Sequence, residues 1–147
     1  MSQPKESLTF EIGISGTFWD KVPKFSVYIN DQCYVNGFAE ASTKVYKFQA
    51  DLDDDAEHTL EIKFENKSDS DVIQSEDKSF IVKDMLLNID SIVVDEIDIA
   101  ELKWSLSEFI PLDSQRPVLT KCVNLGWNGS YKIKFTTPFY IWLLENM

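Results

Sequence analysis

Carboxylates in and after one long polar segment are the side chains of this sequence best suited to chemistry. Residues 65–83 are rich in Asp, Glu, Ser and Asn, and they lead directly into Asp84 at the start of an apolar stretch. Calcium takes six to eight oxygen ligands, which loop carboxylates and backbone carbonyls supply well. The candidate metal ligands are therefore Asp71, Asp77 and Asp84. Their spacing is not that of an EF-hand, and a solvated acidic loop is the competing interpretation.

Aromatic side chains in loops form a second candidate site. Trp19, with Asp20 beside it, follows the first alternating stretch, Tyr28 occupies an outward position of the next one, and Trp127 lies in a Gly-Trp-Asn-Gly turn. Flat rings pack on the C–H faces of sugars while carboxylates bind the hydroxyls. The predicted ligand-binding residues are Trp19, Tyr28 and Asp20. The competing interpretation is that such rings plug the ends of a core.

Catalysis has little support in the sequence. The single histidine, His58, is in register with Leu60 and Ile62 and is typical of a packed residue. No GxSxG, HExxH or phosphate-binding glycine loop is present. Two carboxylates suffice for a glycosidase, so sequence alone leaves that reaction open. The prediction is a protein that is not an enzyme, without catalytic residues.

Alternating apolar residues predict the scaffold that positions these groups. Period-two alternation indicates half-buried strands, and it covers 8–14, 25–29, 33–35, 45–52, 58–64, 117–125 and 131–135. Asn30-Asp31 and the acidic run 53–55 are predicted turns. Many short strands separated by turns indicate an all-β, antiparallel, jelly-roll-like sandwich, with 1–147 as one domain. Residues 102–106 favour a strand, with a short helix over 98–108 left open.

The apolar stretch after Asp84 contains a change of phase. Leu87 and Ile89 share one face, and Ile92 and Val94 share a face, but the two pairs are out of register. One extra residue in a strand would bring both pairs to the same side. The sequence therefore predicts a β-bulge at Asp90-Ser91.

The end of the sequence is apolar almost all round and predicts a short helical turn. Such a segment either caps its own sandwich or docks on a neighbouring subunit. The candidate interface residues are Phe139, Tyr140, Trp142, Leu143 and Leu144.

Charge and cysteine content narrow the partners. The formal net charge is -11, which disfavours nucleic acid and anionic membranes because both need clustered Lys and Arg. No apolar run approaches the roughly 18 residues that span a bilayer, and the N-terminus does not have the pattern of a signal peptide. We therefore expect folding in a cytosol, with Cys33 and Cys122 as buried reduced thiols. A structural disulfide is the minor alternative.

Four runs give residues 8–97 a resemblance to calcium-dependent xylan-binding modules, a family of carbohydrate-binding modules. The runs are 23–31, 45–52, 58–64 and 84–95. The resemblance implies a jelly-roll-like sandwich that residues 98–147 complete, calcium held by Asp84 and loop acids such as Asp77, and a glycan-binding face. The chain departs from the pattern at Asn66-Lys67, where the family has Asn-Asp, and at Met85-Leu86, where it has Arg-Asn.

A second resemblance covers most of the chain. Residues 83–89, 124–129 and 138–146 are similar to small uncharacterised proteins of large marine tailed phages. This implies a virion component, made in the host cytoplasm, oligomeric in the particle, with other virion proteins as partners and surface glycans of the host as candidate ligands. The alternative is a structural adaptor or decoration protein of the capsid, neck, tail or baseplate, with no ligand.

Overall fold

Thirteen short strands and two helices make up the part of the chain that the computed structural model describes, residues 4–76, 81–99 and 101–147. The strands are β1 (Lys5–Thr17), β2 (Lys24–Ile29), β3 (Gln32–Phe38), β4 (Lys44–Asp53), β5 (Glu57–Phe64), β6 (Ile73–Gln74), β7 (Ile81–Lys83), β8 (Leu86–Val94), β9 (Ile97–Asp98), β10 (Glu108–Pro111), β11 (Leu119–Thr120), β12 (Asn124–Leu125) and β13 (Gly129–Thr136). The helices are α1 (Leu102–Ser105) and α2 (Phe139–Asn146), and Asp69–Asp71 forms a single 3-10 turn.

The strands form two main antiparallel sheets. Sheet A has the order β12-β8-β1-β4, with β9 also pairing with β8, and sheet B has the order β11-β10-β13-β5-β2-β3. Strands β6 and β7 form a separate two-stranded ribbon. The predicted all-β, antiparallel, jelly-roll-like sandwich is confirmed, together with its short C-terminal helix.

The core lies between the two sheets, where alternate residues of each strand meet. Successive strand side chains point to opposite faces, so one apolar face per strand is enough to build this core. The buried residues from the two sheets include Leu8, Phe10, Ile12, Ile14, Phe25, Val27, Ile29, Leu60, Ile62, Phe64, Tyr131, Ile133 and Phe135. His58 was predicted to pack on the same face as Leu60 and Ile62, and its side chain is buried with them.

The predicted β-bulge is present in β8. Gly13 of β1 pairs with Ser91, and the next residue, Ile14, pairs with Ile89, so Asp90 is the extra residue. Its carboxylate accepts a hydrogen bond from Thr43 Oγ1 at 2.9 Å. The bulge restores the phase of the strand, since the four apolar residues around it are all buried: Leu87, Ile89, Ile92 and Val94.

Both predicted tight turns are confirmed. Asn30 and Asp31 have φ values of 49° and 72° between β2 and β3, as in the two-residue hairpin turns whose twist matches that of the strands. Asp55 has a φ of 53° between β4 and β5. Asn and Asp tolerate this left-handed region better than most residues.

In the second half of the chain, one open alternative is decided and one local prediction is wrong. The strand favoured over 102–106 is replaced by α1, whose backbone is closed by a hydrogen bond from Ser105 N to the Glu101 carbonyl. The single strand expected over 117–125 is two strands in different sheets, β11 and β12, because Lys121 turns the backbone with a φ of 57°. Local alternation does not reveal a strand that changes sheets.

The thiol prediction is wrong in part. Both cysteines are free, but Cys33 is exposed and Cys122 is half-buried. Cys33 lies on β3, which is the edge strand of sheet B. Cys33 pairs with Tyr28 and therefore points to the same, outer face of the sheet, where its thiol contacts water.

The C-terminal segment packs mostly onto its own domain. Phe139, Trp142 and Leu143 are buried, and the rings of Phe139 and Trp142 both pack on Phe135, with centroid distances of 6.2 Å. These three residues therefore cap their own sandwich, which is one of the two alternatives left open for this segment. Tyr140 and Leu144 face outward and are exposed. Within the described ranges, no helix has the length and apolar character needed to cross a membrane.

Candidate functional site

Several loops meet at one end of the sandwich. Phe64, at the end of β5, pairs with Phe25 near the start of β2 and with Gly129 at the start of β13. Gly129 also pairs with Pro111 at the end of β10. The start of β8 reaches the same end, because Leu86 pairs with Thr17. We call this end, formed by residues 18–23, 65–71, 84–85, 112–118 and 126–128, the loop end.

A buried lysine lies at the centre of the loop end. The side chain of Lys67 is only 2% exposed. Its ammonium donates hydrogen bonds to the Asp84 carboxylate and, at 2.6 Å, to the Gly126 carbonyl. It also lies 5.5 Å from the centroid of the Trp127 ring, a distance at which a cation is attracted to the π face.

Asn128 fixes the backbone of the same lysine. Its side-chain oxygen accepts a hydrogen bond from Lys67 N at 2.7 Å, and its side-chain nitrogen donates one to the Lys67 carbonyl at 2.8 Å. The amide therefore replaces a strand partner and ties the loop after β5 to the turn before β13. These two hydrogen bonds fix the backbone of Lys67 and so position its side chain.

The second predicted metal ligand, Asp71, also has a lysine partner. Its side chain is 3% exposed and lies 2.9 Å from Lys21 Nζ, and it accepts hydrogen bonds from Ser68 N at 2.7 Å and Ser68 Oγ at 3.0 Å. Burial is the largest single influence and favours the neutral acid, but the bonds from Lys21 and Ser68 together outweigh it and lower the pKa of Asp71. Asp71 is thus an ionised structural acid.

The described residues do not fit a calcium ion. Asp84 is bonded to Lys67 and, at 2.7 Å, to Met85 N, while Asp71 belongs to a separate ion pair. No group of three or more His, Cys, Asp or Glu side chains that could hold a metal occurs in the ranges that the structure describes. The third predicted ligand, Asp77, lies outside the described residues.

Trp19 lies at the loop end, in the loop between β1 and β2. Its indole nitrogen donates a hydrogen bond to the Asp71 carbonyl at 2.9 Å, and Lys83 Nζ lies 5.1 Å from its ring centroid. The residue is 39% exposed, and its neighbour Asp20 is exposed as well. These two predicted ligand-binding residues are thus accessible and adjacent.

Tyr28 is not at the loop end. Strand β2 begins there with Lys24 and reaches Tyr28 only near its other end, where Tyr28 pairs with Glu61 and Cys33. Its ring is half-buried beneath Lys63, whose ammonium lies 4.6 Å from the ring centroid. The Tyr28 ring therefore lies on the outer face of sheet B, away from Trp19 and Asp20.

The loop end has a further pair of residues, Trp127 and Arg116. The guanidinium carbon of Arg116 lies 4.1 Å from the centroid of the Trp127 ring. Two open clefts flank this pair. One, of about 340 Å³, is also lined by Val72 and Gln74; the other, of about 220 Å³, is lined by apolar groups that include Phe109, Pro111 and Leu119.

Sequence reasoning found half of this pair. Trp127 has a signal, because a tryptophan in a Gly-Trp-Asn-Gly turn is placed where a ring can be exposed. Arg116 has none, because its contact with Trp127 exists only in the folded chain. Lys67 is marked in the sequence only as a departure from a family pattern, and its pairing with Asp84 also appears only in the fold. The predicted set of ligand-binding residues thus omits the cleft and includes Tyr28, which lies elsewhere.

Two solved structures share this fold. The chain matches vCBM60 in complex with galactobiose with a TM-score of 0.56 and 12% identity, covering 87% of this chain and 97% of that one. It matches the selenomethionine form of vCBM60 with a TM-score of 0.59 and 12% identity, covering 86% and 89%. The latter is described as linking, by circular permutation, two families of calcium-dependent carbohydrate-binding modules. The chain thus has the fold of a carbohydrate-binding module, and the fold that the first resemblance implied is confirmed.

Sequence comparison adds nothing to this structural likeness, because neither a protein-family model nor a curated protein sequence matches the chain.

Proposed function

We propose that this chain is a non-catalytic carbohydrate-binding module that binds its glycan at the loop end, against Trp127 and Arg116. The observation that carries the proposal is the pair of clefts around these two side chains, on a fold shared with a protein solved in complex with galactobiose. Trp19 and Asp20, at the same end, are further candidate contacts.

The chemistry of the clefts suits a sugar. The larger cleft is close to the size of small-molecule sites, roughly 300 to 1,000 Å³, and it combines the Trp127 ring with the polar groups of Gln74 and Arg116. A sugar ring has apolar C–H faces and a rim of hydroxyls, so it needs an aromatic surface beside hydrogen-bonding groups. Arg116 supplies several N–H donors in a fixed plane.

Calcium dependence, which the first resemblance implies, is left out of this proposal. Each of the two described candidate ligands, Asp84 and Asp71, already has a lysine ammonium as its partner. The glycan is therefore expected to be held by Trp127, Arg116 and neighbouring polar groups alone.

The biological setting we propose is a phage particle, in which the chain displays the loop end to glycans on the host surface. This setting rests on the resemblance of residues 83–89, 124–129 and 138–146 to proteins of tailed phages. Other virion proteins would be its partners, and a chain of net charge -11 is suited to neither nucleic acid nor anionic membranes.

A glycan array with purified protein, with galactobiose and xylan oligosaccharides among the probes, tests the binding proposal. We expect at least one glycan to bind with and without chelator, and Trp127→Ala to weaken that binding at least about tenfold, in line with the loss of a stacking ring. The matched control is Trp104→Ala, since Trp104 is an exposed tryptophan that also lies near a lysine ammonium but does not line the two clefts. Absence of binding to every glycan, or equal loss in both variants, would overturn the proposal.

A structural adaptor or decoration protein is the second candidate, favoured by the outer face of α2. Tyr140, Ile141 and Leu144 are 60%, 53% and 72% exposed, an unusual share of apolar surface for one short helix. In that case Leu144→Ser with Tyr140→Ser should abolish self-association in sedimentation experiments without lowering the melting temperature. If the double variant sediments like the wild type, this candidate function fails.

A further inference from the structure

We propose that the ammonium of Lys67 takes the place of a metal ion at the loop end, so that this domain keeps a carbohydrate-binding-module fold without calcium. The inference concerns the cation and does not depend on glycan binding. It rests on the contacts of Lys67, on the charge around it and on the second lysine at the same end.

The contacts of Lys67 are those of a cation held by oxygen atoms. Its ammonium binds one carboxylate oxygen of Asp84 and the carbonyl oxygen of Gly126, and it faces the Trp127 ring. An ammonium has three N–H donors. Two of these meet oxygen atoms and the remaining side is directed toward the π face, so the buried charge is well solvated by the protein.

The same contacts join three separate segments. Lys67 belongs to the loop after β5, Asp84 precedes β8, and Gly126 lies between β12 and β13. Bound metal ions often have this role in small domains, because one ion fixes several loops and its binding energy becomes folding energy. Here the Lys67 side chain, which belongs to the chain itself, provides this cross-link in place of a bound ion.

The charge balance disfavours an additional cation. Lys67 and Asp84 neutralise each other, with side chains 2% and 22% exposed. A calcium ion requires several carboxylate or carbonyl oxygens at about 2.3 to 2.6 Å, and at that distance from Asp84 it would be repelled by the ammonium. Position 67 is also where the sequence departs from the Asn-Asp pattern of the family it resembles, with Lys where that pattern has Asp.

A second lysine pairs with an acid in the same way at the neighbouring loop. Lys21 lies 2.9 Å from the buried carboxylate of Asp71. Both described acids that were predicted to bind calcium are thus paired with a lysine. The two pairs differ in which partner is more buried, because Lys21 is 39% exposed beside a buried acid whereas Lys67 is itself buried.

The first arm of the test uses the wild-type protein. Its melting temperature is measured in millimolar calcium chloride and in excess EDTA, with calorimetric titration of calcium alone. A metal present at 100 times its Kd would raise the melting temperature by roughly 5 to 10 °C for a chain of this size. We expect no shift and no heat of binding. A shift of that size in the wild type would overturn the inference.

The second arm removes the ammonium. Lys67→Met leaves the Asp84 carboxylate without its buried partner, and we expect the melting temperature to fall by about 10 °C. The control is Lys5→Met, which breaks the ion pair with Asp53 and should cost much less, because both side chains of that pair are about half exposed. The double variant Lys67→Met with Asp84→Asn should recover part of the loss. Equal small effects of the two lysine substitutions would contradict a central role for Lys67.

The third arm restores the carboxylate. Lys67→Asp creates a pair of acids beside the Gly126 carbonyl, and we expect its melting temperature to rise by several degrees with calcium and to fall with EDTA. A folded Lys67→Asp protein that ignores calcium would contradict the replacement of a metal by lysine. Should this variant fail to fold in either condition, the wild-type titration and the Lys67→Met comparison decide the question.

Discussion

The guanidinium of Arg116 lies over the indole ring of Trp127, with its carbon atom 4.1 Å from the ring centroid. The Nε of the same arginine lies 3.9 Å from a carboxylate oxygen of Asp113. The guanidinium therefore lies against the ring before any ligand arrives, and both open clefts of the loop end border on it.

This relationship leads to a prediction about affinity. Replacing Arg116 with Ala removes planar donors that are already positioned, so we expect glycan binding to weaken about tenfold, while Arg116→Lys keeps the charge but recovers only part of the affinity. Isothermal titration with the glycan found on the array measures this. Lys103→Ala, a basic residue remote from the clefts, serves as the control. If Arg116→Ala binds more tightly, the arginine covers the ring and the assigned role is wrong.

Asp71 should contribute to the loss of stability in acid. Its folded-state pKa is lowered by the bonds from Lys21 and Ser68, so its contribution is complete above its ordinary value of about 3.9 and is lost as the pH falls below it. We expect Asp71→Asn to cost about 1 to 3 kcal/mol at pH 7 and to flatten the fall in unfolding free energy below about pH 4.

Urea unfolding at a series of pH values checks the role of Asp71. Asp20→Asn is the control, since Asp20 is an exposed acid of the same loop end. Parallel pH curves for the wild type and Asp71→Asn would show that the ion pair with Lys21 does not stabilise the fold.

Tyr131 should limit stability at high pH. Burial raises its pKa, and its hydroxyl donates a hydrogen bond to the Lys103 carbonyl. An unfolded chain ionises its tyrosines near pH 10 while the folded protein keeps this one neutral, so the free energy of unfolding falls as the pH rises above that value.

We therefore expect Tyr131→Phe to cost about 1 to 2 kcal/mol near neutral pH and to show a smaller alkaline loss than the wild type. Denaturant titrations between neutral and strongly alkaline pH measure both effects. Tyr140→Phe, on an exposed tyrosine, should reproduce the wild-type curve. A full alkaline loss in Tyr131→Phe would assign it to other groups.

Gly129 should not tolerate a side chain. A Cβ at this position would lie 2.8 Å from the Cα of Pro111 and even closer to the Ile110 carbonyl oxygen, both on the backbone of β10. Since backbone cannot move aside as a flexible side chain does, we expect Gly129→Ala to destabilise the fold by about 2 to 3 kcal/mol.

The matched control for Gly129 is Gly37→Ala in β3, where no atom lies within 4 Å of the added Cβ. That variant should stay within about 0.5 kcal/mol of the wild type. Thermal unfolding of the two variants compares them directly. Similar melting temperatures would mean that β10 shifts easily and that the loop end is less rigid than its pairing indicates.

The sequence by itself determined the strands, the two tight turns and the β-bulge. These features depend on residues close together in the chain: alternation places Leu87 and Ile89 on one face, and the change of phase before Ile92 requires an extra residue. The left-handed turn at Asn30-Asp31 is equally local. Apolar residues alternate along a half-buried strand whichever strands it pairs with, so the strand can be recognised without knowing its partners in the sheet.

Only the tertiary structure decided the chemistry of the loop end. The acids that read as calcium ligands are paired with Lys67 and Lys21, the ring of Trp127 meets Arg116, and Tyr28 lies elsewhere. It also decided which side of α2 is buried, sending Trp142 into the core and Leu144 to the surface. The physical reason is that an ion pair or a stacked ring depends on the distance between atoms from separate segments, and that distance exists only once the sheets have packed.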